Sequence, residues 1–297
     1  MDLEGLVMVV IEDQSVKVKD LSVSYGKTEV VRNLNLEVHG SELVAIVGKS
    51  GCGKSTLLNA IAGFIPFSGH VYRPQSIGVV FQEDSLFPWL TVAQNIAFGL
   101  PDSKYFNYLC NKEKKKIVAD YLRLIGLEDH ANKYPNELSG GQKQRVAVAR
   151  ALAPNTSLVL MDEPFGSLDI YTRDSMQTWL LDLLVREKRT ILFVTHSIEE
   201  AIYMSDRILV LDEGEIKREY KVDFDRPRKE DTKYSQKFLD LKKRIDSYLK
   251  TGQDQKNANG NYAPRLETSL PVHLLRNFQK PFSFHFRFQH IFSRILA

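Results

Sequence analysis

The chain has 297 residues, a hydrophobic fraction of 43% and a formal net charge of +3. That length and apolar content supply one large or two modest domains with a full core, and the charge is too balanced to point to nucleic acid as a partner. No apolar run approaches the ~18–20 residues that cross a bilayer, and two cysteines, one of them Cys52, suit a reducing cytoplasm better than a disulfide framework.

Asp2 and Glu4 stand where a secretory signal needs basic residues, and the apolar run at 6–11 is too short for one. Alternation at Val16, Val18, Leu21 and Val23, then at Leu34, Leu36 and Val38, predicts two half-exposed strands. Residues 43–47 are apolar throughout and predict a buried strand. This strand leads directly into Gly48-Lys49-Ser50-Gly51-Cys52-Gly53-Lys54-Ser55-Thr56. A strand, a glycine-rich turn and a helix start make a phosphate cradle. The glycines let successive amide N–H groups point inward, Lys54 reaches the outer phosphates, and the Ser55 hydroxyl ligates Mg²⁺. Amide bonds to charged oxygens contribute about 1.5–3 kcal/mol each, so several suffice for micromolar triphosphate binding, about −8 kcal/mol. A helix over 56–62 follows, with Gly63 as its stop.

Val79-Val80-Phe81 predicts another buried strand, ending at Gln82. The segment 84–92 is unusually apolar for a loop, with Leu86, Phe87, Trp89 and Leu90 around Pro88. Such a cluster marks a protein contact or packing within the neighbouring helices. Between 83 and 140 the pattern is helical; Ile117, Val118, Tyr121, Leu122 and Ile125 form one face, and Gly126 stops it. Leu138-Ser139-Gly140-Gly141-Gln142 then opens a helix over 142–152, ahead of Pro154. A hydroxyl and bare backbone at a positive helix N-terminus make a second anion site. Two phosphate-facing surfaces in one chain, neither complete, suggest a nucleotide shared between two copies.

The strand at 158–161 carries Asp162 and Glu163 to its C-terminal end, where open α/β sheets bind ligands. Asp162 is placed to hold Mg²⁺, directly or through water, and Glu163 to polarise the attacking water. The next strand, 190–195, ends at His196, just before an expected capping box of Ser197 with Glu200. From there His196 can donate to the γ-phosphate, although a lone histidine after a strand is more often a satisfied loop residue. Strands at 207–211 and 215–220 flank a turn at Glu213-Gly214. Beyond Val222 come a connector at 223–228, an amphipathic helix through Phe238, Leu239, Leu241, Ile245 and Leu249, and a polar, Asn-rich linker. Near the end, Phe282, Phe284, Phe286 and Phe288 alternate with polar residues. This reads as a strand or as a tail without a selected role, and no function attaches to it.

In this order the motifs resemble the ATP-binding cassette family, the nucleotide-binding subunits of ABC transporters, from about Val16 to about Tyr220. The resemblance implies an α/β fold: a P-loop NTPase (RecA-like) core with an antiparallel β subdomain and an inserted α-helical subdomain. The core would occupy 16–83 and 155–222, the helical part 84–154, a connector and helix 223–250, and a tail 251–297. Residues Gly48, Lys49, Ser50, Gly51, Cys52, Gly53, Lys54, Ser55 and Thr56 match the Walker A loop, and Ser139, Gly140, Gly141 and Gln142 lie in the signature sequence. Glu163 matches the catalytic glutamate, Leu168-Asp169 the D-loop and His196 the switch histidine. Tyr25 matches the aromatic that stacks on adenine, although a plain strand-end aromatic would look the same. Gln82 matches a contact to Mg²⁺ and water, although a polar strand terminus would too.

The resemblance further implies ATP and Mg²⁺ as ligands, with ATP hydrolysed in a homodimer of ATPase subunits. That dimer would lie on the cytoplasmic face of the membrane, beneath transmembrane permease subunits that touch residues 82–92. A solute-binding protein outside would be reached only indirectly. Two function classes compete: an importer subunit, or a soluble cassette ATPase that assembles or remodels protein complexes. The wording of 87–92 and of 162–169 resembles bacterial importers of nitrate, sulfonate, taurine and related solutes, which favours the first.

Overall fold

The computed structural model describes residues 14–82, 86–100 and 111–252. The apolar run at 6–11, Asp84 and Ser85, and the phenylalanine-rich tail lie outside the described residues.

Strand β1 (Val16–Tyr25) pairs antiparallel with β2 (Thr28–Val38), with Val18 opposite Leu36, and their alternating apolar residues bury one face. Strand β3 (Leu43–Val47) is buried along its whole length. Helix α1 (Lys54–Ala62) starts two residues ahead of the expected Thr56, because Gly53 at φ 103° serves as its N-cap, and Gly63 closes it at φ 77°. Strand β4 (Ser68–Tyr72) adds to the free edge of β1. It is largely exposed and carries no apolar alternation, so periodicity does not reveal it. Strand β5 (Ile77–Val80) stops before Phe81, contrary to the expected strand through that residue. Its pairing ends at Val80, and the Phe81 ring turns outward to stack on Phe64 at 6.0 Å.

Helices α2 (Val92–Phe98), α3 (Lys112–Leu124) and α4 (Gly140–Leu152) lead to β6 (Leu158–Asp162). Then follow α5 (Ile170–Glu187), β7 (Thr190–Thr195), α6 (Ile198–Met204), β8 (Arg207–Asp212), β9 (Glu215–Lys221) and α7 (Gln236–Thr251). The main sheet has the order β5-β6-β7-β3-β8-β9, parallel except for the β8–β9 hairpin. Both of its faces are covered. Ala45, Val47, Met161 and Phe193 pack beneath α5, α6 and α7, whereas Val44, Ile46, Leu160 and Val194 pack against α1 and the small sheet. Double burial is why these strands read as continuous apolar runs.

A separate cluster joins α2, α3 and one side of α4 through Ile96, Val118, Leu122, Val146 and Ala149. The other side of α4, Val148, Ala151 and Leu152, belongs to the core beneath α5. The apolar segment before α2 divides between the two expected roles. Leu90 is buried in the helical cluster, while Trp89 is 58% exposed beside Phe87, their rings 5.5 Å apart. Helix α7 buries Phe238, Ile245 and Tyr248 against the core and leaves Leu239 outside. Among the described residues no helix is long and apolar enough to cross a membrane.

Candidate active site

Strands β5, β6, β7 and β3 are neighbours, so their carboxyl ends stand side by side. That edge collects Gln82, Asp162 with Glu163, His196, and the loop 48–53, at the usual ligand position of an open α/β sheet. Within the loop, Gly51 and Gly53 take φ values of 78° and 103°, which favour glycine. Gly48 passes so close to β8 that a Cβ there would stand 2.2 Å from the Leu211 carbonyl oxygen. Lys54 is buried, and its Nζ donates to the carbonyls of Gly48 (2.8 Å) and Lys49 (3.0 Å). The loop's own backbone thus holds the ammonium in its curl. The Cys52 thiol is also buried, which raises its pKa despite the opposing pull of Lys54.

The Ser55 hydroxyl donates to Asp162 Oδ1 at 3.0 Å. Burial raises the Asp162 pKa; the Ser55 hydrogen bond opposes that shift and the Glu163 charge adds to it. Glu163 leaves β6 at φ 43°, a conformation rare for a residue with a side chain. Its N–H donates to the Val194 carbonyl (3.0 Å), and its carbonyl accepts from the Gly166 N–H (3.0 Å). So held, Oε2 accepts from Gln82 Nε2 at 3.3 Å and meets His196 Nδ1 at 3.0 Å. The imidazole itself is 64% exposed. Backbone strain of this kind clusters at sites where geometry serves function. A groove of about 480 Å³ runs along these groups and is lined by Ser50, Gly51, Gly53, Lys54, Ser55, Thr56, Gln82, Glu163 and His196, with Val30 at its wall.

Tyr25, Ser139, Gly140, Gly141 and Gln142 do not line this groove. Tyr25 is exposed at the end of β1. Ser139 caps α4 in a reciprocal box: its Oγ accepts from the Gln142 N–H at 3.4 Å, and Gln142 Oε1 accepts from the Ser139 N–H at 3.0 Å. The helix therefore begins at Gly140 rather than at the expected Gln142. Gly141 is buried against α5, where a Cβ would stand 2.7 Å from Thr172 Cγ2.

The box expected at Ser197 and Glu200 is only half formed. Ser197 Oγ accepts from the Glu200 N–H (3.3 Å), but the Glu200 carboxylate turns away and accepts from Thr195 Oγ1 at 2.6 Å. The Ser197 N–H donates to the same Thr195 oxygen at 3.0 Å. The buried threonine hydroxyl needs an acceptor and outcompetes the local cap. The sequence marks Glu200 only as a helix cap and does not single out Thr195 or Arg173. For Thr195 and Glu200 the signal is a polar side chain at the edge of an apolar run; Arg173 carries no such signal.

Ser55 and Asp162 offer hard oxygen donors from two different elements. Among the described residues no group of three or more His, Cys, Asp or Glu side chains gathers for a metal. Mg²⁺ is commonly held by one or two protein oxygens together with substrate phosphates, so this pair fits Mg²⁺ carried with a nucleotide.

The family model described as ABC transporter matches residues 31–166. The ABC transporter ATP-binding protein MJ0412 of Methanocaldococcus jannaschii is 42% identical over 236 residues, covering 76% of this chain and 86% of that protein. This chain belongs to the ABC transporter family. It is an ATP hydrolase of the cassette type, with the P-loop α/β fold of its relatives. The taurine import ATP-binding protein TauB of Rhizobium johnstonii is 39% identical to this ABC ATPase over 251 residues, 79% of this chain and 94% of that protein. Among solved structures, the dimeric post-hydrolysis state of the ATP-binding cassette MJ0796 bound to ADP and Pi matches with a TM-score of 0.60. The identity is 34%, covering 71% of this chain and 100% of that one.

Proposed function

We propose that this ABC ATPase is the energy-coupling subunit of an importer, and that two copies close on two ATP molecules to drive uptake of a small solute. The observation that carries the reading is the convergence on Glu163. Gln82 and His196 both hold its Oε2, beside the Lys54 loop and the Ser55–Asp162 pair.

In this reading the loop amides bind phosphate oxygens, and Lys54 exchanges its two backbone carbonyls for the outer phosphates. Tyr25 stacks on the adenine. Mg²⁺, held by Ser55 and Asp162 with Gln82 nearby, would neutralise charge on the phosphate oxygens. Glu163 aligns a water in line with the bridging oxygen and takes its proton. His196, with Nδ1 on Glu163, keeps its other ring nitrogen for the γ-phosphate. Ser139, Gly140, Gly141 and Gln142 lie apart from their own chain's groove, so they complete the site of a second copy.

Exposed Trp89 with Phe87, just beyond Gln82, forms the face for a transmembrane permease subunit. In this reading the dimer lies on the cytoplasmic face of the membrane, against that permease. The relative named for taurine import supports a solute of the taurine, sulfonate or nitrate class, delivered by a solute-binding protein.

Glu163→Gln should keep ATP affinity, lose turnover by about 10²–10⁴-fold as expected for a missing general base, and accumulate a closed dimer. Brisk hydrolysis by that variant removes the role assigned to Glu163. For the importer reading, the ATPase is reconstituted with the membrane protein encoded beside it. Hydrolysis indifferent to taurine-, sulfonate- or nitrate-loaded binding protein refutes this assignment.

A further inference from the structure

Behind His196 runs a line of contacts outside the lining of the groove. Thr195, the last residue of β7, is buried, and its Oγ1 donates to Glu200 Oε2 at 2.6 Å while accepting from the Ser197 N–H at 3.0 Å. These two bonds bracket His196 on both sides. A helix cap alone needs no charge here, because Ser197 Oγ already takes the Glu200 N–H. The carboxylate nevertheless lies buried in the first turn of α6, an environment a charge tolerates only with partners.

One partner comes from another element. Arg173 on α5 places Nε 3.8 Å from Glu200 Oε1, and this buried Nε has no hydrogen-bond partner, so the ion pair has room to tighten. The same guanidinium donates through Nη2 to the Leu168 carbonyl at 3.0 Å. Leu168 precedes Asp169, whose carboxylate caps α5 at the Thr172 N–H (3.0 Å). Directly after this loop, Ile170 and Tyr171 are 73% and 90% exposed. Burial raises the Glu200 pKa, Thr195 and Arg173 oppose it, and the charges of His196 and Glu163 also act on it.

We propose that Thr195 and Glu200 are positioning residues for His196, and that Arg173 ties the setting of that histidine to the loop at Leu168 and Asp169. A displacement of the loop moves the Leu168 carbonyl, and with it Arg173 and the bracket around His196. The inference rests on the hydrolytic role given to His196 above.

The test uses the full chain and follows steady-state phosphate release, ATP binding and the imidazole nitrogen resonances of His196, assigned by their loss in His196→Ala. Thr195→Val removes the hydroxyl at constant shape, Thr195→Ser restores it, and Glu200→Gln keeps an acceptor but drops the charge that attracts Arg173. Thr195→Val should lower kcat about tenfold, within the coupling range of contacting residues, with KM unchanged within about twofold and the His196 resonances moved. Thr195→Ser should stay near the parent. In the His196→Ala background, Thr195→Val should change the residual rate less than about twofold.

Equal losses in both backgrounds, a KM that rises as kcat falls, or unmoved imidazole resonances would overturn the proposal. If Thr195→Val does not fold, Glu200→Gln carries the same comparison, with a smaller loss of the same kind expected. If His196→Ala itself hydrolyses ATP at the parent rate, the role of the histidine falls and the bracket with it. An inactive His196→Ala beside an indifferent Thr195→Val sinks the bracket alone.

Discussion

Replacing Gly141 by alanine places a methyl group where α4 meets α5, 2.7 Å from Thr172 Cγ2. Ordinary contact begins at 3.4 Å, so the helices must separate by about 0.7 Å at this point. The threonine is β-branched and stiff at χ1 in a helix, so it cannot simply swing aside. Overpacking costs about 1–3 kcal/mol, while alanine gains about 0.8–1.0 kcal/mol over glycine in helix propensity. The net loss of stability is therefore small and the fold persists. The functional effect is larger, because the displaced end of α4 carries Ser139 and Gly140. Misplacement of about 1 Å in a reacting assembly costs on the order of 10²-fold, so turnover should fall about 10–100-fold. Nucleotide affinity of a single chain, measured by calorimetry, should not change, because Gly141 does not line the groove. Thr172→Ser removes the offending methyl, and the Gly141→Ala, Thr172→Ser double variant should regain turnover to within about threefold of the parent. Full turnover in the single variant, or a double variant as slow as the single, would show that this packing does not hold the signature end of α4 in place.

Lys54→Ala should weaken ATP binding about 10–150-fold, the equivalent of one charge-assisted hydrogen bond of about 1.5–3 kcal/mol; unchanged affinity by calorimetry counts against its placement on the phosphates. Tyr203→Phe should leave hydrolysis intact but lower stability. The buried Tyr203 hydroxyl donates to the Arg228 carbonyl at 3.1 Å and lies 3.2 Å from Thr178 Oγ1. Stranding that carbonyl costs about 1–3 kcal/mol, read as a lower urea midpoint at constant m-value, and an unshifted midpoint would mean the bond is made up elsewhere.

The strands around the apolar runs 43–47, 158–161 and 191–194 were legible because a strand buried on both faces reads as a near-continuous apolar run. The phosphate loop was legible because left-handed backbone and close approach leave glycine as the fitting residue at 48, 51 and 53. These are local constraints, and local constraints leave their mark on neighbouring letters. Strand β4 was hidden because an exposed edge strand needs no apolar alternation. Phe81 was misplaced because an aromatic after two valines reads as buried until its strand partner is seen to end.

Contacts between distant residues were decided only by tertiary structure. Gln82 and His196 meet on one oxygen of Glu163 because β5, β6 and β7 are consecutive in the sheet, an order that periodicity does not specify. Glu200 reads as a cap in sequence. It bonds Thr195 instead because folding buries the hydroxyl and brings Arg173 over from α5. Short-range sterics and burial fixed the element types and the chemistry of the loop from the letters alone. Long-range desolvation chose which polar groups pair, since that choice depends on which elements the packed core makes adjacent.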